Sequence, residues 1–144
     1  KSPEIEPQRV YYLPKGKRTA IVVADNVLKP NGIVGTPDGK FLYVADMKAN
    51  KTYRYNIEPD ASLTGQTLIL NQHSDGMTLD TEGNIYVTGK GVNIYKPSGE
   101  QIGHIDIPEE WCGNICFGGK QKNTLFITAT KSIYTNKVNA RGVE

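Results

Sequence analysis

The feature that most constrains this chain is a repeat. "PNGIVGTPDGKFLYVAD", starting at Pro30, is followed by "SDGMTLDTEGNIYVTG" at Ser74 and "GNICFGGKQKNTLFITA" at Gly113. Each segment sets a polar residue before a short apolar run, then a turn-forming stretch, then a second apolar run. Asn31, Asp75 and Asn114 are 44 and 39 residues apart, and Tyr43, Tyr86 and Phe126 are 43 and 40 apart. A period near forty, made of about four short strands, is the signature of a β-propeller blade.

The rest of the chain agrees with that reading. Helical periodicity is nearly absent. Runs such as "TAIVVA", "FLYVAD", "TYRYNI", "NIYVTG", "IGHIDI" and "TLFITA" are β-branched or aromatic, and turn chemistry at Pro37-Asp38-Gly39, Glu82-Gly83-Asn84 and Pro97-Ser98-Gly99 separates them. Short strands with glycine-bearing turns between them describe a meander of antiparallel hairpins. The expected fold is all-β, a partial β-propeller over 1–144 that supplies about three blades of four-stranded antiparallel sheet. Residues 9–28 read as the two outer strands of an incomplete blade. Residues 31–70 and 75–107 read as full blades, and 114–138 as three strands of another.

Composition excludes several classes of partner. The chain has 144 residues, 22% of them charged, and a net charge of +2. That balance gives no electrostatic reason to bind nucleic acid or an anionic membrane. The densest basic cluster, Lys15 to Arg18, reads as a solvated loop beside Gly16. No apolar run nears the ~20 residues of a membrane helix. The chain starts at Lys1, not Met, so a preceding segment is expected and the compartment, cytoplasm or periplasm, stays open. Cys112 and Cys116 have no histidine at zinc-site spacing. Four residues apart on one strand they would lie ~13 Å apart on one side, too far for a disulfide. They are expected to be two small buried residues.

The innermost strand of each blade lines the central channel, so residues heading successive inner strands converge. Asn31, Asp75 and Asn114 hold that position. Asn-Gly and Asp-Gly pairs are also common hairpin turns, and spacing alone leaves both readings standing. His73, Ser74 and Trp111 fall at the same rim, as substrate contacts or channel lining. His104 is expected to face solvent on an outer strand.

Taken in order, "PNGI", "SDGM", "YVTG", "FGG" and "LFITA" resemble the gluconolactonase family, which includes regucalcin (senescence marker protein) and bacterial lactonases. The resemblance runs over about residues 8–138. It implies a six-bladed propeller of which this chain is the C-terminal half. It also implies a carboxylic ester hydrolase that opens lactone rings, and one divalent metal in the channel, calcium first, with magnesium, manganese or zinc admissible. On that resemblance Asn31 and Asp75 are the metal ligands, and Asp75 is the catalytic residue beside the metal. The family's N-terminal glutamate ligand has no counterpart here. Expected partners are a small lactone and either the missing N-terminal half or a second copy of the chain, because open sheet edges and bare core faces are unfavourable. Two alternatives remain: a non-enzymatic propeller that binds a ligand, and an inactive fragment.

Overall fold

The computed structural model describes residues 7–143. Thirteen strands, and no helix, occur among the described residues. They are β1 (Val10–Tyr12), β2 (Ile21–Ala24), β3 (Pro30–Gly35), β4 (Phe41–Asp46), β5 (Lys51–Ile57), β6 (Leu63–Leu70), β7 (Met77–Leu79), β8 (Ile85–Gly89), β9 (Gly91–Tyr95), β10 (Gln101–Ile105), β11 (Cys112–Gly118), β12 (Thr124–Ala129) and β13 (Ile133–Lys137). They form four antiparallel meanders: β1-β2, β3-β4-β5-β6, β7-β8-β9-β10 and β11-β12-β13. The all-β expectation holds.

Three apolar layers fill the spaces between the four sheets. Val10, Ala24 and Val27 pack on Val44 and Tyr55. Tyr43, Ala45 and Leu70 pack on Met77, Leu79, Ile85 and Val87. Tyr86 and Val92 pack on Cys112, Ile115, Leu125 and Ile127. The period of two explains the sequence of the central strands. β4 sends Tyr43 and Ala45 into one layer and Val44 into the other; β8 sends Ile85 and Val87 one way and Tyr86 the other. A strand covered on both faces needs a continuous apolar run, as "FLYVA" and "IYV" provide. β12 is covered on one face only. Leu125 and Ile127 are buried, and Phe126 between them is exposed.

The inner strands β3, β7 and β11 lie side by side. Their close approach is what the two rim glycines serve. A Cβ on Gly32 would stand 2.7 Å from the Ser74 carbonyl oxygen, and one on Gly76 would stand 2.7 Å from the Asn114 Cα. Gly32 N–H donates to the Ser74 carbonyl at 3.0 Å, stitching β3 to the head of β7. Neither pair is therefore a hairpin turn: Asn31-Gly32 lies within β3, and Asp75-Gly76 leads into β7.

β3 and β11 each carry a register shift at the head, between Pro30 and Ile33 and between Cys112 and Asn114. The second corrects the expectation for the cysteines. An extra residue reverses the alternation downstream. Cys112 is buried as expected, but Cys116 is exposed, and both are free thiols. His104 is exposed near the end of β10 and bonds Asn93 Oδ1 at 2.7 Å.

Candidate functional site at the rim of the inner strands

The rim where β3 begins holds two carboxylates. Asp46, the last residue of β4, is 1% exposed. Its oxygens accept the backbone N–H groups of Leu28 (2.6 Å), Lys29 (3.0 Å), Lys48 (3.1 Å) and Ala49 (3.1 Å). Burial pushes its carboxyl up, but these four donors outweigh burial and hold it below the usual carboxylate range. Asp46 thus fixes the segment that delivers Pro30 and Asn31.

Asn31 lies inside the β3 register shift, where a bulge can re-aim a side chain. Its Nδ2 donates to Asp75 Oδ1 at 2.6 Å across to the next sheet. The other Asp75 oxygen, Oδ2, accepts the Trp111 indole N–H at 2.8 Å. Three successive sheets therefore meet on one half-buried carboxylate: β3 through Asn31, the lead into β7 through Asp75, and the lead into β11 through Trp111. The Asn31 amide and the Asp75 carboxylate are hard oxygen donors of the kind a calcium-type cation takes. No group of three or more His, Cys, Asp or Glu side chains able to hold a metal occurs among the described residues.

The other rim candidates divide. His73 is half-buried and its ring stacks on Trp111 with centroids 5.8 Å apart. Ser74 is fully buried; its hydroxyl accepts Thr88 N–H at 2.8 Å and also bonds Gly76 and Thr88 Oγ1, so it braces the backbone under Asp75. Asn114 is exposed, with its Oδ1 accepting the N–H of Ile115 at 2.8 Å, and it packs on Gly76 without bonding Asp75. Beside Asn31 runs a cleft of about 390 Å³ lined by Gln8, Arg9, Tyr11, Lys29 and Pro30.

Sequence reasoning passed over Asn50. It sits in the β4–β5 turn at φ 52, a left-handed conformation that Asn tolerates better than most residues. Its Oδ1 accepts the His73 backbone N–H at 3.2 Å and lies 2.7 Å from His73 Nδ1. An Asn within the turn-like "KANK" was the one available signal, and it does not name the partner.

Comparisons with known proteins place the chain in a family. The gluconolactonase of Zymomonas mobilis subsp. mobilis is 32% identical over 120 residues, 73% of this chain and 33% of that protein. The crystal structure of a calcium-binding protein, regucalcin, from Agrobacterium tumefaciens is 26% identical, with a TM-score of 0.74 over 85% of this chain and 44% of that one. A gluconolactonase structure from Xanthomonas campestris, 24% identical, shares the fold over 99% of this chain and 47% of its own length, with a TM-score of 0.83. The chain spans between 33% and 50% of the length of the first curated relatives it matches. The profile of the SMP-30/Gluconolactonase/LRE-like region matches residues 1–131, and the chain belongs to that family.

Proposed function

We propose that this chain forms one side of a lactone-hydrolysing centre in which Asn31 and Asp75 hold a divalent cation, calcium first. The observation that carries the reading is the 2.6 Å contact between these two side chains, brought together from adjacent inner strands in a chain of the gluconolactonase family. The donor set fits by type, since an amide carbonyl and a carboxylate are oxygen ligands. It falls short in number: calcium takes about six to eight oxygens. In this reading the others are waters and residues from the half of the relatives' length that lies outside the match.

When bound, the cation supplies positive charge that polarises the lactone carbonyl. The residues of this chain do the rest. Turning the Asn31 amide about its last side-chain bond presents Oδ1 in place of Nδ2. Asp75 is then the rim carboxylate with no backbone donors among the described residues, placed to orient the attacking water and to accept its proton. Water adds to the carbonyl, the ring C–O bond breaks, and the alkoxide takes a proton to give the open hydroxy acid. Trp111 and His73, stacked on each other, stand beside Asp75 on the rim.

The test is hydrolysis of an aldonolactone by the whole protein, followed as acid release. Chelation is expected to remove activity and added calcium to restore it. Hydrolysis that survives exhaustive chelation would overturn the metal reading. Tight lactone binding without turnover, in calcium, would favour a binding propeller.

A further inference from the structure

We infer that Trp111 is a positioning residue: its indole N–H fixes Asp75 Oδ2, so that Oδ1 is the one oxygen of Asp75 left to face a cation. The inference rests on the proposed role of Asp75 and goes beyond it.

The two donors to Asp75 differ in kind. The Asn31 amide carries both a donor and an acceptor, and rotation exchanges them. Its bond to Oδ1 can be given up without stranding a polar group. The indole N–H only donates. It has nothing to offer a cation, and its bond to Oδ2 is strengthened by the negative charge it points at. A cation arriving between Asn31 and Asp75 would displace the first bond and leave the second. The carboxylate would bind through one oxygen, its rotation about the Cβ–Cγ bond already stopped.

The indole is itself held. The Trp111 carbonyl accepts the Thr130 backbone N–H at 3.1 Å and its hydroxyl at 3.3 Å. The ring lies on His73 at an interplanar angle of 29°. His73 is clamped in turn by Asn50 Oδ1, which accepts its backbone N–H at 3.2 Å and lies 2.7 Å from its Nδ1. The brace Asn50–His73–Trp111 runs over the same three sheets that meet at Asp75. Partners of this kind set ligand orientation, and their loss commonly weakens metal binding about 10- to 100-fold.

Trp111 is the single tryptophan of the 144 residues, which makes the contact readable without turnover. In the metal-free whole protein, the indole Hε1 resonance that Trp111→Phe removes should lie further downfield in the wild type than in Asp75→Asn, because a charged acceptor has been replaced by a neutral one. Trp111→Phe keeps an aromatic ring on His73 and removes only the N–H. By calorimetric titration of the whole protein with calcium alone, it should bind about 10- to 100-fold more weakly than the wild type, with an unchanged far-UV spectrum. A wild-type indole resonance that does not move in Asp75→Asn would overturn the contact. Equal calcium affinity in Trp111→Phe would overturn its positioning role. A shifted indole in a whole wild-type protein that takes up no calcium would sink Asp75 as a ligand, and the role of Trp111 with it; that failure is distinct from failure of the contact.

Discussion

Asp46 and Asp75 stand on the same rim and are treated in opposite ways. Asp46 is buried and saturated by four backbone N–H groups. Asp75 is half-buried, and both its hydrogen-bond donors among the described residues are side chains, Asn31 and Trp111. Backbone donors cannot leave without unravelling the turn that carries them. Side-chain donors can rotate. One carboxylate is thus committed to the fold, and the other can exchange a partner for a ligand. A perturbed pKa does not by itself mark a site: the Asp46 carboxyl is held low by bonds to the backbone, because hydrogen bonds to the charged form depress it wherever they come from.

The largest effect expected of this contrast is on activity. Asp75→Asn in the whole protein should lower lactone hydrolysis by about 10³-fold, on the order of 4 kcal/mol in barrier. The far-UV spectrum should stay unchanged. Asp46→Asn, where it folds, should lower it far less. Steady-state rates of the two variants, compared at equal folded fraction, check this. Asp75→Asn within a few-fold of wild type would remove the functional half of the contrast.

Much of the fold could be read from the chain because it rests on alternation. "FLYVA" and "IYV" need cover on both faces, and the period near forty fixes how often such strands recur. Asn31, Asp75 and Asn114 could be set together as candidates because all three head inner strands; only the resemblance to the gluconolactonase family singled out the first two. Less could be read where the cause is a backbone event. The register shift between Cys112 and Asn114 turned Cys116 outward, and no residue type announces it. In the sequence Asp46 is no more than the polar last residue of the run "FLYVAD". Two of its donors lie 17 and 18 residues upstream and are backbone groups, which every residue except proline possesses. Asn50 went unnoticed for the same reason, since its partnership depends on where the next sheet places His73.

The second effect is on stability. Asp46→Asn can keep an oxygen at the Oδ1 position for Lys29, Lys48 and Ala49, but it then turns an NH₂ group toward the Leu28 N–H, leaving two donors facing each other. Buried donors without partners cost about 1–3 kcal/mol each when water cannot reach them. With partial relaxation we expect a loss of about 3 kcal/mol, read as a lower urea midpoint at unchanged slope. The pH dependence supplies a sharper signature. The folded carboxyl of Asp46 lies below the unfolded value of about 3.9, so its contribution is complete above that pH. As pH falls below it, the unfolded chain takes up the proton first, and the contribution fades until the folded carboxyl protonates too. Asp46→Asn should therefore flatten this acid limb as well as lower the plateau. Parallel curves for variant and wild type below pH 4 would show that Asp46 does not carry it.

The smallest effect is expected at the residue proposed for the chemistry. Asp75→Asn should change folding stability by no more than about 0.5 kcal/mol, the range of surface substitutions that strand nothing. Asn31 is exposed and can turn its amide to water, and the new amide can still accept the Trp111 N–H through its oxygen. At the size of this domain that is a shift of about 1–2 °C in Tm. Asp75 therefore holds little of the fold together, even though three sheets touch it. Thermal unfolding of wild type, Asp75→Asn and Asp46→Asn under one set of conditions decides the matter. If Asp75→Asn costs as much as Asp46→Asn, the Asn31–Asp75–Trp111 cluster is a structural clasp like the one around Asp46. The 2.6 Å contact would then need no cation to explain it.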